Sequence, residues 1–161
     1  MASTLNTAIL AFGVIFYSLT VIVFILRAYE KSDQELKLKY IFSLQIIPFT
    51  VLTTLSVYQN QIRKAITLVP MLVFLVYDYW YRIHAEMKPL HHPDKWPREL
   101  VVYIVLLYAG SIGLNWYGFL VSDQYGMILV VSFLFMMGAY SLYQYRHNKR
   151  KKQSSTNPPN R

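Results

Sequence analysis

Five apolar stretches occupy most of this chain, roughly Ala8–Leu26, Tyr40–Tyr58, Ala65–Tyr81, Leu100–Leu120 and Tyr125–Tyr145. Each comes close to the about 20 residues that a tilted helix needs to cross the hydrocarbon core of a bilayer. A backbone in hydrocarbon has to satisfy its own N–H and C=O groups, so only helices and closed barrels can span. Barrel strands alternate apolar and polar positions, whereas Thr20–Leu26 and Gly126–Gly138 are nearly continuous apolar runs. The sequence therefore predicts an all-α, polytopic integral membrane helical bundle with five transmembrane helices. Residues 1–145 form the bundle, and a basic cytoplasmic tail, 146–161, is expected to be disordered because its end lacks apolar residues to fold. A four-helix alternative makes the second or third segment re-entrant. Gln45, Pro48, Thr50, Thr53 and Thr54 make the second the most polar, and Asp78 interrupts the third.

Charge placement sets the expected orientation. All 16 Lys and Arg fall in the gaps between the stretches. The first gap holds Arg27, Lys31, Lys37 and Lys39, the second only Arg63 and Lys64, and the third Arg82, Lys88, Lys95 and Arg98. The fourth holds none, and Arg146, Lys149, Arg150, Lys151, Lys152 and Arg161 follow the last. Short loops rich in Lys and Arg remain on the cytoplasmic side. This alternation places the N-terminus outside and the C-terminal tail inside, which requires an odd number of spans. Tyr and Trp gather where expected for interfacial anchors, with Tyr29, Tyr40, Tyr79, Trp80, Tyr81, Tyr143 and Tyr145 on the inner side and Tyr58, Trp116, Tyr117 and Tyr125 on the outer. The first stretch has no basic segment before it, so it reads as a retained span rather than a cleaved signal.

The formal net charge is +8 and there is no cysteine. Without thiols there is no disulfide, thiolate metal site or cysteine nucleophile. The charge does not imply nucleic acid, because much of it lies in one cluster directly after the last span. Arg146, Lys149, Arg150, Lys151 and Lys152 are placed to attract anionic lipid headgroups, at about 1 kcal/mol per basic residue near the surface.

The segment richest in reactive groups is the inner end of the third span and the loop after it. Asp78, His84, Glu86 and Asp94 are the candidate acid/base pool, and His84, Glu86, His91 and His92 the candidate metal ligands. Imidazole and carboxylate together suit zinc or non-haem iron. A simpler account has Asp78 pairing with Arg82 four residues on, in the favourable helical order. Near a hydrated interface such a pair would contribute roughly 0–1 kcal/mol. Any metal site would use His84, Glu86 and one of the adjacent histidines, since neighbours in an extended segment point to opposite sides.

Polar and small residues recur at helical spacing within the spans: Gly13, Tyr17 and Thr20; Ser43, Thr50 and Thr54; Thr67, Phe74 and Asp78; Ala109, Gly113 and Tyr117. Their expected role is helix packing, and Gln45 and Asn115 are expected to face the bundle or a partner. The chain has no phosphate loop, zinc-protease helix or nucleophile elbow, and too few histidines for a di-iron desaturase pattern. The leading functional expectation is a non-catalytic subunit or assembly partner of a larger membrane complex, in contact with other membrane subunits or a second copy of itself. The alternatives are a membrane-embedded, metal-dependent enzyme acting on a lipid or isoprenoid at the cytoplasmic face, and a dimeric transporter or channel.

Overall fold

A computed structural model describes residues 2–29, 31, 34, 38, 41, 44–84 and 98–156, with the side chains of 2, 3, 82–84, 99, 100 and 151–156 outside the description. Among these residues the chain is all-α. Its helices are α1 (Ala2–Ala28), α2 (Ile46–Tyr58), α3 (Ile62–His84), α4 (Arg98–Val121) and α5 (Asp123–Thr156).

Local chemistry explains the two tight turns. Asn60 takes a left-handed conformation, φ 57°, which Asn tolerates better than most side chains. Gln61 N then donates to Ser56 O at 2.9 Å and Asn60 N to Val57 O at 2.9 Å. These bonds satisfy the last carbonyls of α2 and reverse the chain into α3. Between α4 and α5, the Ser122 hydroxyl accepts from Tyr125 N at 3.3 Å, the usual N-cap interaction. Gly118 and Gly126 face each other beside this turn, and a Cβ on Gly118 would lie 2.9 Å from the Gly126 Cα.

The helices form a closed ring in chain order, each packing on its neighbours, with α5 returning to α1. Contacts give the directions. Asn6 meets Tyr117 and Tyr17 meets Ser111, so α1 and α4 are antiparallel. Thr7 meets Tyr125, Phe24 meets Tyr140 and Tyr29 meets Arg146, so α1 and α5 are parallel. An up-and-down ring with an odd number of helices must contain one parallel neighbouring pair, and here that pair is α1–α5.

Inside the ring, Phe16 packs edge-on against Phe74 at 5.9 Å and against Tyr17 at 5.5 Å, with Phe49, Leu68, Leu114 and Leu129 also fully buried. Lipid tails are as apolar as these side chains, so close packing and interhelical hydrogen bonds hold the bundle together. The closest packing is between α3 and α4. A Cβ on Gly110 would sit 3.1 Å from the Met71 Cα, and one on Gly113 would run into the Thr67 carbonyl oxygen.

The structure bears out the all-α bundle and gives three helices long and apolar enough to cross a membrane: Thr4–Ala28, Val101–Val121 and Asp123–Arg150. The other two differ from the expectation in instructive ways. Helix α3 has 23 residues but carries Arg63, Lys64, Asp78 and Arg82. Helix α2 has 13 residues as described, about 20 Å at 1.5 Å per residue.

Helix α5 is described as far as Thr156 and so takes in the first residues of the basic tail, while residues 157–161 lie outside the described residues. Lys, Arg and Gln are good helix formers that propagate a helix already nucleated by the span. One further expectation is corrected. Thr50 and Thr54 were expected on the packing face of the second span, and both are exposed, while Thr53 and Ser56 are buried. The exposed hydroxyls return their protons to their own helix, Thr50 to Ile46 O at 2.7 Å and Thr54 to Thr50 O at 2.9 Å. They are thereby satisfied without a partner helix. Ser43 lies outside the described residues.

Candidate functional site

Asp78 continues the buried stripe of α3. Ala65, Leu68, Met71, Leu75 and Asp78 follow one another at helical spacing and all are buried, Asp78 with no exposed surface. The carboxylate is therefore not hydrated at an interface, as its position near Arg82 suggests, but lies inside the bundle. The aromatic residues around it explain the enclosure. Tyr103 of α4 contacts Phe74 at 5.3 Å and Tyr81 at 5.9 Å, the rings one turn either side of Asp78. Tyr81 in turn stacks on Tyr77 at 6.2 Å. The Arg82 side chain lies outside the described residues.

Two more buried polar groups share this level. Helices α1 and α3 both run antiparallel to α4, and their Phe16 and Phe74 rings touch. One turn further along each, Thr20 is level with Asp78, and it is buried, donating to Phe16 O at 2.9 Å. Counting equal helical rise back from the turn at Asn60 puts Gln45 near the height of Leu75. Gln45 is 5 % exposed, and neither its Nε2 nor its Oε1 has a hydrogen-bond partner among the described residues. A buried amide in that state costs free energy until another polar group supplies its bonds.

One turn closer to the N-terminus of α1 is a second polar node. The Tyr17 hydroxyl donates to Asn115 Oδ1 at 2.9 Å and lies 3.1 Å from Ser111 O, joining α1 to α4 in the fully buried centre. The sequence singled out Tyr17 and Asn115 as bundle-facing, and they are. Ser111 was not singled out, because a lone serine in a span has no pattern of its own; its Oγ is buried without a partner among the described residues.

The remaining expected site residues are distributed as follows. His84 is the last residue of α3, described in its backbone only. Glu86, His91, His92 and Asp94 lie outside the described residues, so the metal-ligand expectation is not addressed by the fold. Among the described residues no three His, Asp or Glu converge. Of the headgroup cluster, Arg146 and Arg150 fold back on α1. Arg146 sits 4.0 Å over the Tyr29 ring and donates to its hydroxyl at 3.1 Å. Arg150 donates to Ala28 O at 2.6 Å, capping the carbonyl end of α1, where a cation is favoured by the helix dipole. Lys149 is exposed, and the Lys151 and Lys152 side chains lie outside the description.

On the outside of the parallel pair a groove of about 540 Å³ runs between α1 and α5, lined by Val21, Ile25, Val131, Leu134, Phe135, Gly138, Ala139 and Leu142. Its lining is almost wholly hydrocarbon, so it suits an apolar helix or chain better than a polar substrate. Gly138 lies in this groove, and a Cβ there would meet nothing among the described residues within 4 Å. Every other glycine of the chain faces a close neighbour from another helix. No protein-family model, curated protein or solved structure matches this chain.

Proposed function

We propose that this protein is a non-catalytic subunit of a membrane assembly, and that the groove on the α1–α5 face receives an apolar helix. Gly138 carries this reading. A glycine within a helix costs roughly 0.5–1 kcal/mol relative to alanine, and at the other five positions of the 6 glycines a close helix contact inside the chain accounts for that cost. At Gly138 nothing among the described residues does. Small residues at membrane helix interfaces let backbones approach, so a helix from outside the chain is the missing neighbour.

In this reading all five helices cross the bilayer, with the N-terminus outside and the C-terminus cytoplasmic. The support is the gathering of Arg27, Lys31, Arg146, Lys149 and Arg150 at one end of the bundle, which the Tyr29–Arg146 and Ala28–Arg150 contacts bring together. The outer ends of α3 and α5 carry only Arg63, Lys64 and Asp123. Lys149, with the basic residues beyond it, then meets anionic headgroups.

Extraction in mild detergent tests the assignment. The 18.9 kDa chain is expected in a particle of defined larger mass held by protein–protein contacts. Recovery as a single chain surrounded only by lipid would defeat it.

One observation favours a second reading, an enzyme acting on a lipid at the cytoplasmic face. An ionisable residue enclosed within a membrane bundle is by default functional, and Asp78 is enclosed, near the height of the unsatisfied Gln45 and on the helix that leads to His84, His91 and His92. Stoichiometric zinc or iron in protein purified without chelators or a histidine tag would support this reading over the first.

A further inference from the structure

We infer that Gln45 is a ligand-binding residue, and that it holds the head of an uncharged, hydroxyl-bearing lipid inside the bundle, among α1, α2 and α3. The inference needs neither a partner subunit nor a reaction, so it goes beyond both readings above. Gln45 is buried, and both its Nε2 and its Oε1 lack a partner among the described residues. The buried hydroxyls of Thr20, Thr53 and Ser56 return their protons to carbonyls of their own helices and need nothing further. An amide has two ends, a donor and an acceptor, and here neither is satisfied. Native proteins leave few buried groups in that state.

The direction of the side chain follows from the helices. Gln45 heads the buried face of α2, in line with Phe49, Leu52 and Ser56 at intervals of four, three and four residues. Its backbone is already helical, since Phe49 N donates to its carbonyl at 3.2 Å. The side chain is thus aimed into the ring and leans toward the start of α2, as helical side chains do. Thr20 and Asp78, both buried, stand on helices that run the other way, so they lean back toward it. Three helices thereby bring polar side chains to one level, with the buried rings of Phe16, Phe49 and Phe74 about them.

The surroundings select the ligand. Thr20 lies within the apolar span Thr4–Ala28, about 12 Å along the helix from the Ala28 carbonyl that Arg150 caps. What reaches Gln45 must therefore dissolve in hydrocarbon. A neutral amide cannot offset a charged head, and an unpaired charge is costly to bury. The cations Arg146 and Arg150 stand at the Ala28 end of α1, so a phosphate head belongs there and not at Gln45. A hydroxyl is uncharged and carries both a donor and an acceptor, the two functions that the amide lacks. Diacylglycerols, sterols and isoprenoid alcohols share that head.

The full chain in mild detergent, titrated with dioleoylglycerol, cholesterol or farnesol while its thermal midpoint is read, tests the site and separates these sources. At least one of the three is expected to raise the midpoint, as a ligand of the folded state does. Its methyl ether, which accepts but cannot donate, is expected to need at least tenfold more for the same rise, and its phosphate ester to give none. Gln45→Met keeps the length and removes both hydrogen-bonding atoms. It is expected to raise the midpoint of the ligand-free protein, because an unsatisfied amide is gone, and to abolish the difference between alcohol and ether. A lower midpoint in Gln45→Met would overturn the inference by showing that the amide already has a partner in the fold. Alcohol and ether acting alike on the unaltered chain, or no response to any of the three alcohols, would overturn it whether or not the variant folds.

Discussion

The α3–α4 and α1–α5 interfaces are built on opposite plans. Between α3 and α4 the helices are antiparallel and nearly touch at the backbone, with Gly110 and Gly113 set against Met71, Thr67 and Pro70. Between α1 and α5 they are parallel and kept apart by rings, as Tyr17 meets Phe133 at 6.0 Å and Phe24 meets Tyr140 at 5.2 Å and Tyr143 at 6.5 Å. The first interface is complete within the chain. The second leaves a groove on its outer side with a glycine in it, which is why the outside of the molecule is best understood from α5.

The sharpest way to break this contrast is Gly113→Leu. A side chain there must displace the Thr67 carbonyl, so α3 and α4 have to separate, and a loss of about 3 kcal/mol is expected for such overpacking. A fall in the thermal midpoint of detergent-solubilised protein checks it. An unchanged midpoint would mean that the close approach is not required.

Asp78→Asn should have the next largest effect. A hydrated pair at the interface would cost at most about 1 kcal/mol to lose, whereas a buried carboxylate loses hydrogen bonds to a charged group worth roughly 1.5–3 kcal/mol. The same thermal measurement distinguishes the two environments, and a loss under about 1 kcal/mol would put Asp78 back in contact with water.

The smallest effect has the opposite sign. Gly138→Ala, measured on protein dispersed into single copies, is expected to raise stability by roughly 0.5–1 kcal/mol through helix propensity alone. Destabilisation there would reveal a contact that the open groove does not contain.

Much of this architecture was legible in the sequence because the bilayer imposes simple rules. Long uncharged runs could only be helices, and Gly13, Tyr17, Thr20, Gly113 and Tyr117 sat at helical spacing on faces that the bundle buries. Thr50 and Thr54 misled for a physical reason: a threonine can satisfy its hydroxyl on its own helix, so polarity alone does not mark the inner face. Asp78 was read as interfacial from its distance along the chain to Arg82. The heptad run from Ala65 to Asp78 carried the contrary signal, since it places the acid in line with Leu68, Met71 and Leu75. The pairing of α1 with α5 was not legible at all, because no local pattern states which helices will be neighbours in a ring.

That ring has a consequence for how the protein is made. Of the five helices described, α1 is made first, and the neighbour that covers its Tyr17, Phe24 and Tyr29 is the last to be synthesised. Until α5 arrives, the bundle is an open crescent with an aromatic edge facing lipid and the carbonyl end of α1 uncapped. Closure is one late event, in which Phe133, Tyr140, Arg146 and Arg150 engage α1 together along its length. Removing only α5 would therefore leave α1–α4 still packed in order, with the face of α1 that α5 covers left open along its length.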